Sequence, residues 1–188
     1  ASLIKPIIVA SAPNLPPTLM IDILEKSDNQ AFEAFVDVLP DNFGTSHAQK
    51  IYAILQNNGI SPQNQEACSL PVVVKLSDLA KYYITHLPNF PKSIKDALHI
   101  SQEAFRSYGI KILVDKAQIK DPFLFKLGLW KDGENTYTSY LMSVGNIMVV
   151  GYNLGNDYSA PKAMLITAAR TLALYKTLQN LNQNNKRL

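Results

Sequence analysis

Residues 123–154 read FLFKLGLWKDGENTYTSYLMSVGNIMVVGYNL, and this stretch decides the fold. Phe123, Phe125, Leu127 and Leu129 alternate with Leu124, Lys126, Gly128 and Trp130, the period-two pattern of a half-buried strand. Asp132-Gly133 predicts a tight type I′ hairpin turn, whose two central positions need φ > 0. Residues 136–142 are rich in β-branched and aromatic types and make the return strand. Gly145-Asn146 offers a second two-residue turn, leading into a strand over 147–154. The stretch therefore predicts an antiparallel meander of three or four strands.

On its C-terminal side, 156–161 opens the last helix, with Ser159 as the expected cap. From residue 164 to 181 the apolar positions go most of the way round. At about 100° per residue, Leu165, Ala169 and Leu172 line one side, and Leu174, Leu178 and Leu181 lie roughly opposite. A helix apolar on nearly all sides must be covered on more than one of them. One side fits the meander; the other needs the N-terminal helices or another subunit. These six residues are the candidate self-association surface. The tail, 182–188, is polar.

On its N-terminal side, 110–114 reads as a further strand and 71–74 as a short one. Before them come helices over 18–26, with Pro17 in the first turn, and over about 29–39, capped by Asp28 or Asn29. Ser46 and Gln49 fit a capping box, opening a helix that ends near Gly59. Later helices start at Ser77 or Asp78, at Pro91 and at Ser101. Residues 6–10, with Ile7, Ile8 and Val9 after Pro6, suggest an edge strand. The fold class is α+β: a mostly helical N-terminal half, then an antiparallel three- to four-stranded meander packed against a long C-terminal α-helix. The 188 residues read as one domain. Lobes over 1–60 and 71–188 flank a loop or linker over 56–70, which is rich in Gln, Asn, Ser and Pro.

Apolar residues make up 47% of the chain and charged ones 18%, enough to form a core, which excludes wholesale disorder. No apolar run approaches the length of about 18 that a membrane span needs. The single cysteine excludes an intramolecular disulfide or a cysteine-based metal site. With three scattered histidines, no metal and no cofactor are expected. No basic segment followed by a long apolar one occurs near residue 1, and cysteine is scarce, so the expected location is intracellular.

Charge is uneven. Residues 1–70 hold three lysines against seven acids, and residues 71–188 hold fifteen bases against eight acids, for a net +3. Opposite balances in two halves steer partners or draw copies together. Among the bases, lysines number fifteen and arginines three (Arg106, Arg170, Arg187), poor in the forked group that reads guanine and grips phosphate. Diffuse contact with a phosphate backbone remains open to Lys111, Lys116, Lys120, Lys126 and Lys131. Sheet tyrosines Tyr137, Tyr140 and Tyr152 can stack single-stranded bases, although cross-strand packing is their commoner use.

Catalytic arrangements are thin. Cys68 with His86 or His99 offers a thiol and a base, without a local signature. The pairs Asp115/Asp121 and Asp132/Glu134 are close in sequence, but the second sits in a turn. Gly151 and Gly155 precede a helix start, where anions bind, but Asp157 opposes one. The expectation is a non-enzymatic structural or adaptor protein acting through protein–protein contacts, with copies of itself or with another protein. The alternative is a nucleic-acid-binding protein that uses the lysines and tyrosines named above.

Overall fold

A computed structural model describes residues 2–12, 15–63, 72–99, 109–157 and 159–185. The chain divides into two compact units, 1–98 with 128–130, and 99–127 with 131–188.

The first unit is helical. Its α-helices are α1 (Lys5–Ala10), α2 (Pro17–Met20), α3 (Asn29–Asp37), α4 (His47–Asn57), α5 (Leu76–His86) and α6 (Lys92–Leu98), and a π-helical turn over Ile21–Glu25 extends α2. Asp28 caps α3 by accepting from the Gln30 and Ala31 amides. Ser46 and Gln49 form the expected capping box on α4, and Gly59 follows with φ +72°.

Residues 6–10 are helix, not strand. Five of the six residues of α1 are buried, Lys5 included. A short apolar run suits either a buried strand or a buried helix, and Pro6 fits the first turn of α1, where its missing N–H costs nothing. Lys5 is fully buried. Its ammonium donates to Ser27 O (2.9 Å), Asp28 O (3.0 Å) and Asn29 Oδ1 (2.8 Å) and stands 5.3 Å from the Phe32 ring centroid. Three N–H donors thus find three acceptors, which fixes the turn that enters α3. Lys50 is also buried and donates to Asp37 O (2.8 Å) and Leu39 O (2.7 Å) at the end of α3. Two of the three lysines in the acidic front are therefore inside, and Lys50 also lies 3.4 Å from the exposed Asp41 carboxylate.

The second unit holds α7 (Ile110–Ala117), β1 (Phe123–Asp132, apart from its residues 128–130), β2 (Asn135–Val144), β3 (Ile147–Gly155) and α8 (Ser159–Asn185). The sheet is three-stranded in the order β1-β2-β3, with β2 and β3 antiparallel and Tyr140 opposite Gly151. Residues 110–114 are helical rather than extended. Ile110, Leu113, Val114 and Ala117 form an i, i+3, i+4, i+7 stripe that packs with α8 and one sheet face. Val72–Val74 forms no strand; Val74 makes an isolated bridge to Pro62.

The first hairpin turn is Gly133-Glu134, one residue beyond the expected pair. Only Gly133 has positive φ (+56°), the pattern of a type II′ turn, which needs glycine at the first central position alone. Gly145-Asn146 repeats that pattern, with Gly145 at φ +55°. The entry to α8 also shifts. Asn156 Oδ1 accepts from the Ser159 amide (2.8 Å), and Ser159 Oγ accepts from the Asn156 amide (3.0 Å). Asn156 is therefore the cap, and Ser159 closes a reciprocal box.

The core of this unit lies between α8 and one face of the sheet. Phe123, Tyr140, Met142 and Val144 meet Met164, Ala168, Leu172 and Tyr175. A Cβ on Gly151 would fall 2.2 Å from the Tyr140 ring, so glycine is required there. The expected helix from Ser101, Cys68 and Tyr158 lie outside the described residues.

Candidate functional site

The face of α8 turned to the sheet carries Met164, Ala168, Thr171, Leu172 and Tyr175, all buried. The spacing follows one helical face. Burial stops at Tyr175, and 176–185 are exposed throughout. The reason is length. A Cβ on Gly145, in the β2–β3 turn, would meet the Tyr175 ring at 2.9 Å, so α8 reaches the end of the sheet at Tyr175. Ten more residues continue past it, about 15 Å of helix. Tyr175 anchors that level through its hydroxyl, which donates to Asp121 Oδ2 (2.9 Å). Burial, then that neighbouring carboxylate, raises the pKa of Tyr175.

The six helix residues singled out for self-association separate in the structure. Leu172 is buried in the core. Leu165 is half-buried against it. Ala169 is exposed. Leu174, Leu178 and Leu181 keep 50%, 41% and 53% of their surface in water, and their i, i+4, i+7 spacing aligns them along one flank. Leu165 and Leu174, nine residues apart, point in opposite directions across the helix. On Leu165's side lies α7: a Cβ on Gly109, just before α7, would meet Leu165 Cδ1 at 3.8 Å. The leucine flank therefore faces away from α7. Arg170 is the one charged residue on that flank, and the whole of α8 contains no acid.

The basic and aromatic candidates do not converge. Lys111 pairs with Asp115, and Lys131 with Asp157 (2.5 Å). Thr136 donates to the same Asp157 carboxylate, and these two bonds, the lysine's first, hold the Asp157 pKa below its ordinary value. Lys126 is buried within β1. Lys116 and Lys120 are exposed on α7 and the segment after it. Tyr140 is buried under α8, its hydroxyl 3.4 Å from Thr167 Oγ1. Tyr137 and Tyr152 lie on the other sheet face, with ring centroids 6.3 Å apart. The α7 lysines and the tyrosine pair thus lie on opposite sides of the sheet.

An open depression of about 390 Å³ is lined by His99, Val114, Asp115, Asp121 and Phe123, among others. Both of its carboxylates are engaged, Asp115 with Lys111 and Asp121 with Tyr175. His47 stands 3.3 Å from Asp37, and His86 stacks on Tyr82 at 4.5 Å. Asp132 and Glu134 are exposed at the first hairpin turn. Among the described residues, no group of three or more His, Cys, Asp or Glu side chains converges to hold a metal ion, and no helix is long and apolar enough to cross a membrane.

The open edge of β3 escaped the sequence reading. β3 is the outer strand on its side, with no proline, no charged residue and no buried position in its nine residues. The signal was present in the composition of 147–155, because edge strands are normally blunted by charge or proline. No protein-family model, curated protein or solved structure matches the chain.

Proposed function

We propose that this chain is a non-enzymatic structural or adaptor protein that associates with a second copy of itself through the free flank of α8. The observation that carries this reading is the continuation of α8 past its sheet, with Leu174, Leu178 and Leu181 aligned and half in water. Burying such a stripe against a partner removes apolar surface from water, at about 25 cal/mol per Å². Acid-free helices attract one another through these leucines rather than through charge, so the association is insensitive to salt or strengthened by it.

The test is molar mass in solution across concentration and salt, for the native chain and for Leu174→Gln/Leu178→Gln/Leu181→Gln. Glutamine keeps helix propensity close to that of leucine, so the variant retains its fold. The expected result is a dimer whose dissociation constant rises at least tenfold in the variant. A monomer at every concentration overturns the reading.

A second reading, non-specific binding of single-stranded nucleic acid, is supported by the paired rings of Tyr137 and Tyr152 and the basic balance of residues 71–188. It requires binding to a short oligonucleotide that weakens steeply with salt and is lost in Tyr152→Ala.

A further inference from the structure

We infer that Asp132 is a site at which this chain modifies itself: the Gly133 amide nitrogen closes on the Asp132 carboxyl group, and the ring opens to isoaspartate. The inference is independent of the self-association proposed above.

Two of the eight glycines follow an aspartate or an asparagine, Gly59 after Asn58 and Gly133 after Asp132. A glycine in that place lacks the Cβ that would crowd its nitrogen as it approaches the preceding side chain. At Asp132 the nitrogen gives up its proton and attacks Cγ of the carboxyl group, and water leaves. The product is a five-membered succinimide, to which water adds at one of two carbonyls. Addition at the main-chain carbonyl sends the chain through Cβ and Cγ, which is isoaspartate. Addition at the other restores aspartate. One water leaves and one enters, nothing is oxidised or reduced, and the mass is unchanged. At Asn58 the same closure expels ammonia, so the mass rises when water enters.

The structure separates the two sites. Ammonia is a better leaving group than the oxygen of an ionised carboxylate, so the sequence alone favours Asn58. In the folded chain both reacting groups of that pair are held. Asn58 Nδ2 donates to Ile54 O (2.8 Å), and the Gly59 amide donates to Gln56 O (2.9 Å). Both bonds must open before the ring can close. The other pair is differently placed. β1 ends at Asp132 and β2 begins at Asn135. In a two-residue turn these flanking residues make the main-chain bonds, and the Gly133 N–H is left to water. Asp132 and Gly133 are exposed, and a Cβ on Gly133 would meet nothing within 4 Å.

An added carbon matters in this turn. Lys131 and Thr136, just outside the flanking pair, both bind the Asp157 carboxylate. These bonds, the lysine's first, hold the Asp157 pKa below its ordinary value. Isoaspartate lengthens the main chain between Lys131 and Gly133 by one carbon, which a two-residue turn cannot absorb without moving its flanks. In the modified chain Lys131 and Thr136 no longer share Asp157, and its pKa rises towards the ordinary value.

The experiment ages the full chain in warm, mildly acidic buffer, folded and in urea, and maps isoaspartate by electron-transfer fragmentation of its peptides. In the folded chain isoaspartate is expected at 132 before any other position. Unfolding is expected to speed the reaction at 58 about tenfold or more, the protection that two local hydrogen bonds give, and to change the rate at 132 by less than about threefold. Asp132→Glu keeps the charge, but its side chain is one carbon too long for the five-membered ring, so this variant should age without the modification. Carboxyl NMR titration of the aged native chain should show Asp157 raised. No isoaspartate at 132 in the folded chain, or more of it at 58, overturns the inference, as does a reaction at 132 that unfolding speeds as much as at 58. Equal total isoaspartate in Asp132→Glu and the native chain overturns it too. An aged, modified chain whose Asp157 titrates as before overturns the loosening of the turn.

Discussion

α1 and the end of α8 treat apolar sequence in opposite ways. α1 is six residues long, and five are buried, a lysine among them. The last ten residues of α8 are all in water, Leu178 and Leu181 among them. Hydrophobicity does not separate the two segments; the neighbours do. Lys5 is inside because three acceptors surround its ammonium. Leu178 and Leu181 are outside because the sheet beneath α8 stops at the Gly145 turn. Burial follows polar satisfaction and available surface, and composition only bounds it.

The sharpest way to break that contrast is Lys5→Met. Methionine keeps the apolar stem but removes the ammonium that donates to Ser27 O, Asp28 O and Asn29 Oδ1, although Asp28 O keeps the Phe32 amide. Each such loss costs about 1–3 kcal/mol, and water reaching the site recovers part of it, so chemical denaturation should show a net loss of about 3 kcal/mol or more. A loss under about 1 kcal/mol would mean that Lys5 is merely tolerated. The triple leucine-to-glutamine change at the other end of the comparison should leave the monomer's denaturation midpoint within about 0.5 kcal/mol, while its dissociation constant moves tenfold or more.

This contrast also explains how far the sequence could be read. The meander and α8 were legible because period-two alternation and paired turn glycines occupy 32 consecutive residues. α3 and α4 were legible because their caps are local chemistry, Asp28 and the Ser46/Gln49 box. α1 and α7 were misread as strands because each offers only a short β-branched run, and period alone does not separate a buried helix from a buried strand at that length. The type II′ turn was placed one residue early because Asp-Gly is also the I′ signature. The leucine stripe was legible as a surplus of apolar surface. Which leucines form it was not, because that depends on where the sheet ends. The edge of β3 was missed because an edge is a property of strand order, and no single strand encodes its place in a sheet.

Alkaline pH probes the buried region where α5 packs against the segment that leads into α1. Burial pushes Tyr82 up to about 12. Tyr83, fully buried, goes well above its ordinary 10, through burial first and the neighbouring Tyr82 second. Its hydroxyl donates to Leu3 O. The folded chain therefore keeps both phenols protonated at a pH where the unfolded chain releases them. Because both folded pKa values are raised, this stabilisation is complete below pH 10 and is lost as pH climbs from about 10 towards 12 and beyond. Urea midpoints measured across that window should fall more steeply for the native chain than for Tyr82→Phe. Parallel slopes would assign the alkaline loss to other groups.

The smallest effect lies under α8, where Thr138 and Asn153 face each other in register. Thr138 Oγ1 and Asn153 Nδ2 are buried, and neither has a hydrogen-bond partner among the described residues. A hydroxyl without a partner lowers stability relative to a methyl of the same shape. Valine matches threonine in shape and has the higher preference for a strand. Thr138→Val should therefore raise stability by up to about 1 kcal/mol, read as a shifted denaturation midpoint with an unchanged slope. A loss of similar size would mean that the threonine hydroxyl holds an ordered water shared with Asn153, because removing it would strand the amide. The sign of this change thus separates a dry pocket from a hydrated one, and shows whether polar satisfaction governs burial in the second unit as Lys5 makes it govern the first.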